Sequence, residues 1–202
     1  MLFGTALFGA MLFAVLPASS ADDRAAAIVA RMAEEFRAMR NYVVTFAVET
    51  VGRTTEGRYA VEGTDYYLAV GDAEVFADGT LRREVDNRRR EVTVMQTDTT
   101  GRNILDNPVR AFDALGADFR AELLWERDER ASVRLVPATE HGGAIDAVTV
   151  EVSCRTGRPL RLVYDYDGER VAIRFRSIGS GDAPLPRFDA KRYEGYEFID
   201  FR

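Results

Sequence analysis

Few side chains in this sequence could do chemistry. His141 is the single histidine of the 202 residues, Cys154 the single cysteine, and Lys191, close to the C-terminus, the single lysine. That count excludes a multi-histidine or cysteine-rich metal site, a redox cysteine pair and an intrachain disulfide. It also leaves one candidate for a Schiff-base or phosphate-binding lysine. His141 lies in Glu140-His141-Gly142-Gly143. That reads as an exposed turn, whereas a general base needs a positioned, partly buried site. There is no G-x-S-x-G elbow, no H-E-x-x-H pair and no G-x-x-x-x-G-K loop. Asp165-Tyr166-Asp167-Gly168-Glu169 resembles the opening of a calcium loop, but the later ligand positions are missing, so a hairpin turn is expected. Cys154, just before Arg155-Thr156-Gly157, reads as an inert thiol at a strand end. The expectation is a protein without metal, cofactor or catalysis.

Charge narrows the partners. The formal net charge is −6, which argues against non-specific binding to nucleic acid. Arg82-Arg83 and Arg88-Arg89-Arg90 form a local basic cluster. The favoured reading is a solvated strand edge and turn; the alternative is a docking patch for an acidic partner or lipid headgroups.

Two helical segments and a long series of strands must position whatever site exists. Asp22 to Arg40 places Ala25, Ile28, Val29, Met32, Phe36 and Met39 on one helical arc, with Ser20 or Asp22 as cap and Asn41 as stop. From Tyr42 the period becomes two. Short strands follow at Arg58–Glu62, Tyr66–Val70, Glu74–Ala77, Leu81–Asp86 and Glu91–Met95, separated by turn signals such as Gly71-Asp72 and Asp78-Gly79. Links this short make an antiparallel meander. Asn103 to Gly116 reads as a short helical segment interrupted by Pro108. Strands resume at Phe119–Leu124, Ser132–Pro137, Ala147–Ser153, Leu160–Asp165 and Arg170–Ile178, and a final extended piece runs from Phe188 to Phe201.

The N-terminus reads as an address. Residues 1–21 carry no charged side chain, Leu2 to Leu16 is almost wholly apolar, and Pro17 precedes Ala18-Ser19-Ser20-Ala21. This pattern predicts a cleaved secretory signal over 1–21, cut after Ser20 or Ala21, with a retained anchor as the alternative. Residues 22–202 then form one domain, exported to a bacterial periplasm.

The expected fold is α+β and mainly β: a curved antiparallel half-barrel of roughly ten or eleven strands, with helices covering its open face. Two helices should not fill so wide an apolar face, which points to a cavity. The candidate lining of that cavity is Tyr42, Val44, Phe46, Val48, Tyr59, Val61, Leu68, Val70, Ile104, Leu105, Phe112 and Leu115. Plain core packing is the alternative for each of them.

Several segments resemble the outer-membrane lipoprotein carrier family, LolA. Phe36-Arg37-Ala38-Met39-Arg40-Asn41-Tyr42-Val43-Val44-Thr45-Phe46 is similar to its helix-to-first-strand junction. Glu56-Gly57-Arg58-Tyr59-Ala60-Val61 is similar to its second strand, and Val75-Phe76-Ala77-Asp78-Gly79-Thr80-Leu81 to its strand–Asp-Gly–strand hairpin. Asn103-Ile104-Leu105-Asp106-Asn107-Pro108 resembles its central helix entry. Leu135-Val136-Pro137, Ile145 to Val152 and Thr156-Gly157-Arg158-Pro159-Leu160 follow the order of its later strands, and Arg187-Phe188-Asp189 through Asp200 resembles its closing segment. The resemblance implies a monomeric half-barrel chaperone with a helical lid. Its partners would be acylated lipoproteins, an inner-membrane exporter, and an outer-membrane acceptor or the membrane surface. A periplasmic lipid- or lipoprotein-sensing module on the same scaffold is the second reading. One departure stands out. The family's lid is tied by an arginine after the second strand, where this chain has Glu62-Gly63-Thr64; Arg58 is the nearest substitute.

Overall fold

The structure, a computed structural model, describes residues 20–98, 103–138, 145–181 and 184–202. Residues 1–19 of the expected signal, and the turn carrying His141, lie outside the described residues.

Helix α1 spans Ala21–Ala38. Ser20 caps it: its hydroxyl accepts from the Asp23 amide at 3.1 Å while the Asp23 carboxylate accepts from the Ser20 amide. This reciprocal pair satisfies two amides that the first helical turn leaves without partners. The helix stops two residues short of the expected Arg40, because Met39 is already extended and leads into β1. The buried stripe of α1 is Ala25, Ile28, Val29, Met32, Ala33 and Phe36.

Strands β1 (Asn41–Thr50), β2 (Arg53–Glu62), β3 (Asp65–Val70), β4 (Ala73–Ala77), β5 (Leu81–Asp86) and β6 (Glu91–Gln96) form the expected meander. After the loop from Asn103 and helix α2 (Ala111–Ala117), strands β7 (Phe119–Arg127), β8 (Arg130–Pro137), β9 (Ala147–Ser153), β10 (Pro159–Tyr166) and β11 (Glu169–Ser180) form a second one. β11 returns to pair with β1, so both halves join in one sheet of order β12-β6-β5-β4-β3-β2-β1-β11-β10-β9-β8-β7. The sheet is curved and does not close into a barrel.

Three sequence expectations are corrected. There are twelve strands among the described residues rather than ten or eleven, because part of the C-terminal piece forms β12 (Glu197–Asp200), preceded by a 3-10 turn at Ala190–Tyr193. β12 lies parallel to β6, so the sheet is not wholly antiparallel. The segment from Asn103 is helical only from Ala111: Pro108 has no amide to donate, and Asn107 turns the chain by accepting from the Val109 and Arg110 amides.

Pairing register fixes which side chains share the inner face, the one α1 and α2 cover. Tyr42, Val44, Phe46 and Val48 of β1 stand opposite Val61, Tyr59, Gly57 and Thr55 of β2; Val61, Tyr59 and Gly57 stand opposite Tyr66, Leu68 and Val70 of β3. Gly57 exists to make room. A Cβ there would lie 2.5 Å from two atoms of the Phe46 ring, so the ring lies directly over the Gly57 backbone. Gly57→Ala is expected to destabilise by about 1–3 kcal/mol through overpacking. The double variant Gly57→Ala/Phe46→Leu should recover part of that loss in urea denaturation.

Candidate functional site

The twelve candidate lining residues come together. Ten of them are buried, and Val70 and Leu105 are partly buried against the same apolar cluster. The centre of this cluster is filled by the protein's own side chains. Phe36 of α1 stacks on Phe112 of α2 with ring centroids 3.7 Å apart, and Tyr59 packs edge-on to Tyr42 and at a tilt to Phe46.

Space remains on two sides of the 103–117 segment. A cleft of about 410 Å³ opens against Leu105, lined by Leu68, Val70 and Val75 and rimmed by Arg82, Glu84, Asp86, Arg89 and Glu91. A smaller hollow of about 220 Å³ opens against Val109 and Phe112, lined by Phe36, Met39, Tyr42 and Val61. Six of the twelve candidates therefore border one of these two spaces: Leu68, Val70 and Leu105 the first, and Tyr42, Val61 and Phe112 the second. Val44, Phe46, Val48, Tyr59, Ile104 and Leu115 are held in the packed interior. A third cleft of about 420 Å³ lies between β1–β2 and Pro184–Arg187.

Polar ties hold the covering segment. The Asp106 carbonyl accepts from the Tyr66 hydroxyl at 3.0 Å and from the Arg82 guanidinium. Arg82 also donates to the Tyr66 hydroxyl at 3.1 Å and pairs with Glu84 at 2.6 Å. The Ile104 amide donates to the Tyr164 hydroxyl, and the Asn103 side-chain amide donates to Tyr166. Burial pushes the Tyr164 phenol well above its usual range and Tyr166 up to about 12. Both are neutral donors or acceptors at any physiological pH. Arg37 pairs with Asp113 at 2.6 Å between the helices, but both side chains are about half exposed, so this pair contributes no more than about 1 kcal/mol.

Two readings of the arginines change. Arg58 is exposed and makes no tie to the segment; the tie comes from Arg82. Arg82 is therefore a buried side chain and not part of a solvated edge, although it belongs to the cluster read that way. β6 is not an edge either, since β12 covers it. The signal for Arg82 was its parity: it faces Ala77 across the Asp78-Gly79 turn, and Ala77 lies on the inner face opposite Tyr66.

Among the described residues there is no group of three or more potential metal ligands, and no helix is long and apolar enough to cross a membrane. Asp167 and Gly168 both have positive φ, as the hairpin turn requires.

No protein-family model matches the chain, and no curated protein sequence matches it. Solved structures do. An uncharacterized conserved protein from Thermus thermophilus superposes with a TM-score of 0.59 at 10% identity, covering 88% of this chain and 99% of that one. That likeness shows the fold. Also similar are LprF from Mycobacterium bovis (TM-score 0.49, 12% identity, 83% of this chain and 98% of that one) and a LolA superfamily protein from Nitrosomonas europaea (TM-score 0.42, 10% identity, 79% and 94%). The fold is shared with that Thermus thermophilus protein. It has what the sequence resemblance implied at this level: an open curved sheet whose apolar inner face lies under helices.

Two tyrosine hydroxyls in the interior contrast. Tyr59 Oη is buried without a hydrogen-bond partner, whereas Tyr164 Oη receives the Ile104 amide. Tyr59→Phe is expected to be neutral or stabilising by up to about 1 kcal/mol, and Tyr164→Phe to cost about 1–3 kcal/mol, because only the second orphans a buried amide. Chemical denaturation of the two variants reads the contrast.

Proposed function

We propose that this chain is a periplasmic carrier that holds acyl chains of lipoproteins against the inner face of its sheet and moves them from the inner to the outer membrane, without cofactor or catalysis. The observation that carries this reading is the pair of spaces flanking the 103–117 segment, together with the polar ties that hold that segment over an apolar face. The covering element packs Ile104, Phe112 and Leu115 on this face and is tied to the sheet by a carbonyl, two amides and the Arg82 guanidinium, each of which water can also satisfy once the segment lifts.

The energetics suit a carrier. Each methylene taken from water contributes about 0.8 kcal/mol, so a twelve-carbon chain buried in full would bind with about 10 kcal/mol. A cleft of about 410 Å³ falls within the size range of small-molecule sites and shelters part of one chain at a time in the closed form. Lifting the segment adds the surface of Ile104, Leu105, Phe112 and Leu115 to the binding face. Partial burial and a movable cover together allow release.

Leu105 is the position to probe, because it belongs to the segment and borders the larger of the two spaces beside it. A photo-crosslinking residue at Leu105 is expected to capture acylated proteins in cells, with acyl chains found by mass spectrometry in the native preparation. The same residue placed at exposed Arg58 should capture none. Capture of a single membrane regulator, with no lipid in the preparation, would replace the carrier by a sensing module on the same scaffold.

A further inference from the structure

The two ends of the sheet bury opposite faces. Over β1 to β4 the inner face is apolar, with Val75 and Ala77 of β4 continuing the row of Leu68 and Tyr66. At β5 and β6 the apolar residues turn outward. Val85, Val92 and Phe76 pack on the outer face beneath Tyr193, with Phe188 and Tyr196 of the C-terminal segment against them. Apart from Met95 on β6, the inner-face positions of these strands are consequently polar: Arg82, Glu84 and Asp86 on β5, and Glu91 with Thr93 on β6. They form the rim of the same cleft whose floor is Leu68, Val70, Val75 and Leu105.

The charges on this rim are unequal in availability. Four carboxylates, Glu74, Glu84, Asp86 and Glu91, line the cleft with two guanidiniums, Arg82 and Arg89; Glu74 is taken up by Arg192, Tyr67, Tyr193 and Asn87. Arg82 is committed to the Asp106 carbonyl, Tyr66 and Glu84. Arg89 is 70% exposed and stands 3.7 Å from Asp86 and 3.9 Å from Glu91, a loose pairing open to water. The Asp106 carboxyl is held above the usual range by burial; Arg82 opposes this, and Asp98 and Glu84 reinforce it. An anionic headgroup above the apolar floor would meet this carboxylate excess. A cationic one would be drawn to it.

We infer that the cleft takes an amphiphile tail-first, with a cationic ammonium head seated against Asp86 and Glu91. This inference rests on the acyl-binding reading and adds the charge of the head. The rim is partly exposed, so the preference is modest and salt-sensitive: about three- to tenfold in affinity at low ionic strength.

The test uses the full folded chain, a neutral fluorescent probe (N-phenyl-1-naphthylamine), and three amphiphiles with the same dodecyl tail, each kept below its micelle concentration. Dodecyltrimethylammonium is expected to displace the probe at about three- to tenfold lower concentration than dodecyl sulfate, with dodecyl maltoside between them. High salt should bring the three together, as should Asp86→Asn/Glu91→Gln, which leaves Glu84 in place for Arg82. Equal displacement by all three at low salt, or tighter binding of the sulfate, overturns the head-charge inference and leaves acyl binding standing. A probe that never binds, with no amphiphile detected by calorimetry, overturns acyl binding itself and this inference with it.

Discussion

A guanidinium on the inner face of a sheet is the constraint around which this structure is arranged. Arg82 is 9% exposed, at the point where the inner face changes from apolar to charged. Left without partners there, it would cost several kcal/mol. Glu84 and Tyr66 supply part of what it needs from the sheet itself, and the Asp106 carbonyl supplies the rest from the covering segment. Docking of that segment and satisfaction of Arg82 are therefore one event. Because every partner except Glu84 is neutral, the tie is specific in geometry but easily exchanged for water, which is the property a movable cover needs.

The other elements set how far the cover can matter. α1 is fixed to the far half of the sheet by Arg24 to Glu126 at 2.5 Å and by Arg31, which donates to the Cys154 and Arg155 carbonyls. The C-terminal segment is fixed to the outer face by its aromatic cluster, by Arg187 to Glu62 and Asp65, and by buried Glu74, which accepts from Tyr67, Tyr193 and Asn87. The long β1–β11 pairing joins the halves between them. Each large element is thus anchored away from the 103–117 segment. That segment holds on through Phe36–Phe112 stacking, a few apolar side chains and its polar ties. The proposed function rests on this arrangement: a curved wall and one short covering piece, packed on its apolar side and tied to it through polar groups.

Much of this was legible in the sequence. The change of period at Tyr42 marked the first strand, the Asp-Gly and Gly-Asp turns separated the meander, and the alternation of Tyr42, Val44, Phe46 and Val48 identified the inner face. The resemblance at Asn103–Pro108 placed the covering segment correctly, though not its lack of helix before Ala111. What was missed shares a cause. Alternation tells which residues share a face but not which face is covered. In Leu81-Arg82-Arg83-Glu84-Val85-Asp86 both rows hold polar groups, so the stretch by itself does not show that Val85 packs outward and Arg82 inward; only the register across the Asp78-Gly79 turn does. The outer cluster of Phe76, Val85, Val92 and Tyr193 joins residues more than a hundred positions apart, and β12 pairs with β6 in the parallel sense across a similar gap. The start of β2, Arg53 to Gly57, is polar apart from its glycine and gains its strand from β1 alone at its first residues.

The claim that the cover lifts while the wall stays folded is open to native-state hydrogen exchange. The account predicts that amides of Ala111–Ala117, together with Ile104, exchange through a local opening of lower free energy than those of β1 and β10, and that Arg82→Met lowers their protection further with the strands unchanged. If those amides exchange only as slowly as the central strands, through unfolding of the whole domain, the cover does not move independently and the account is contradicted.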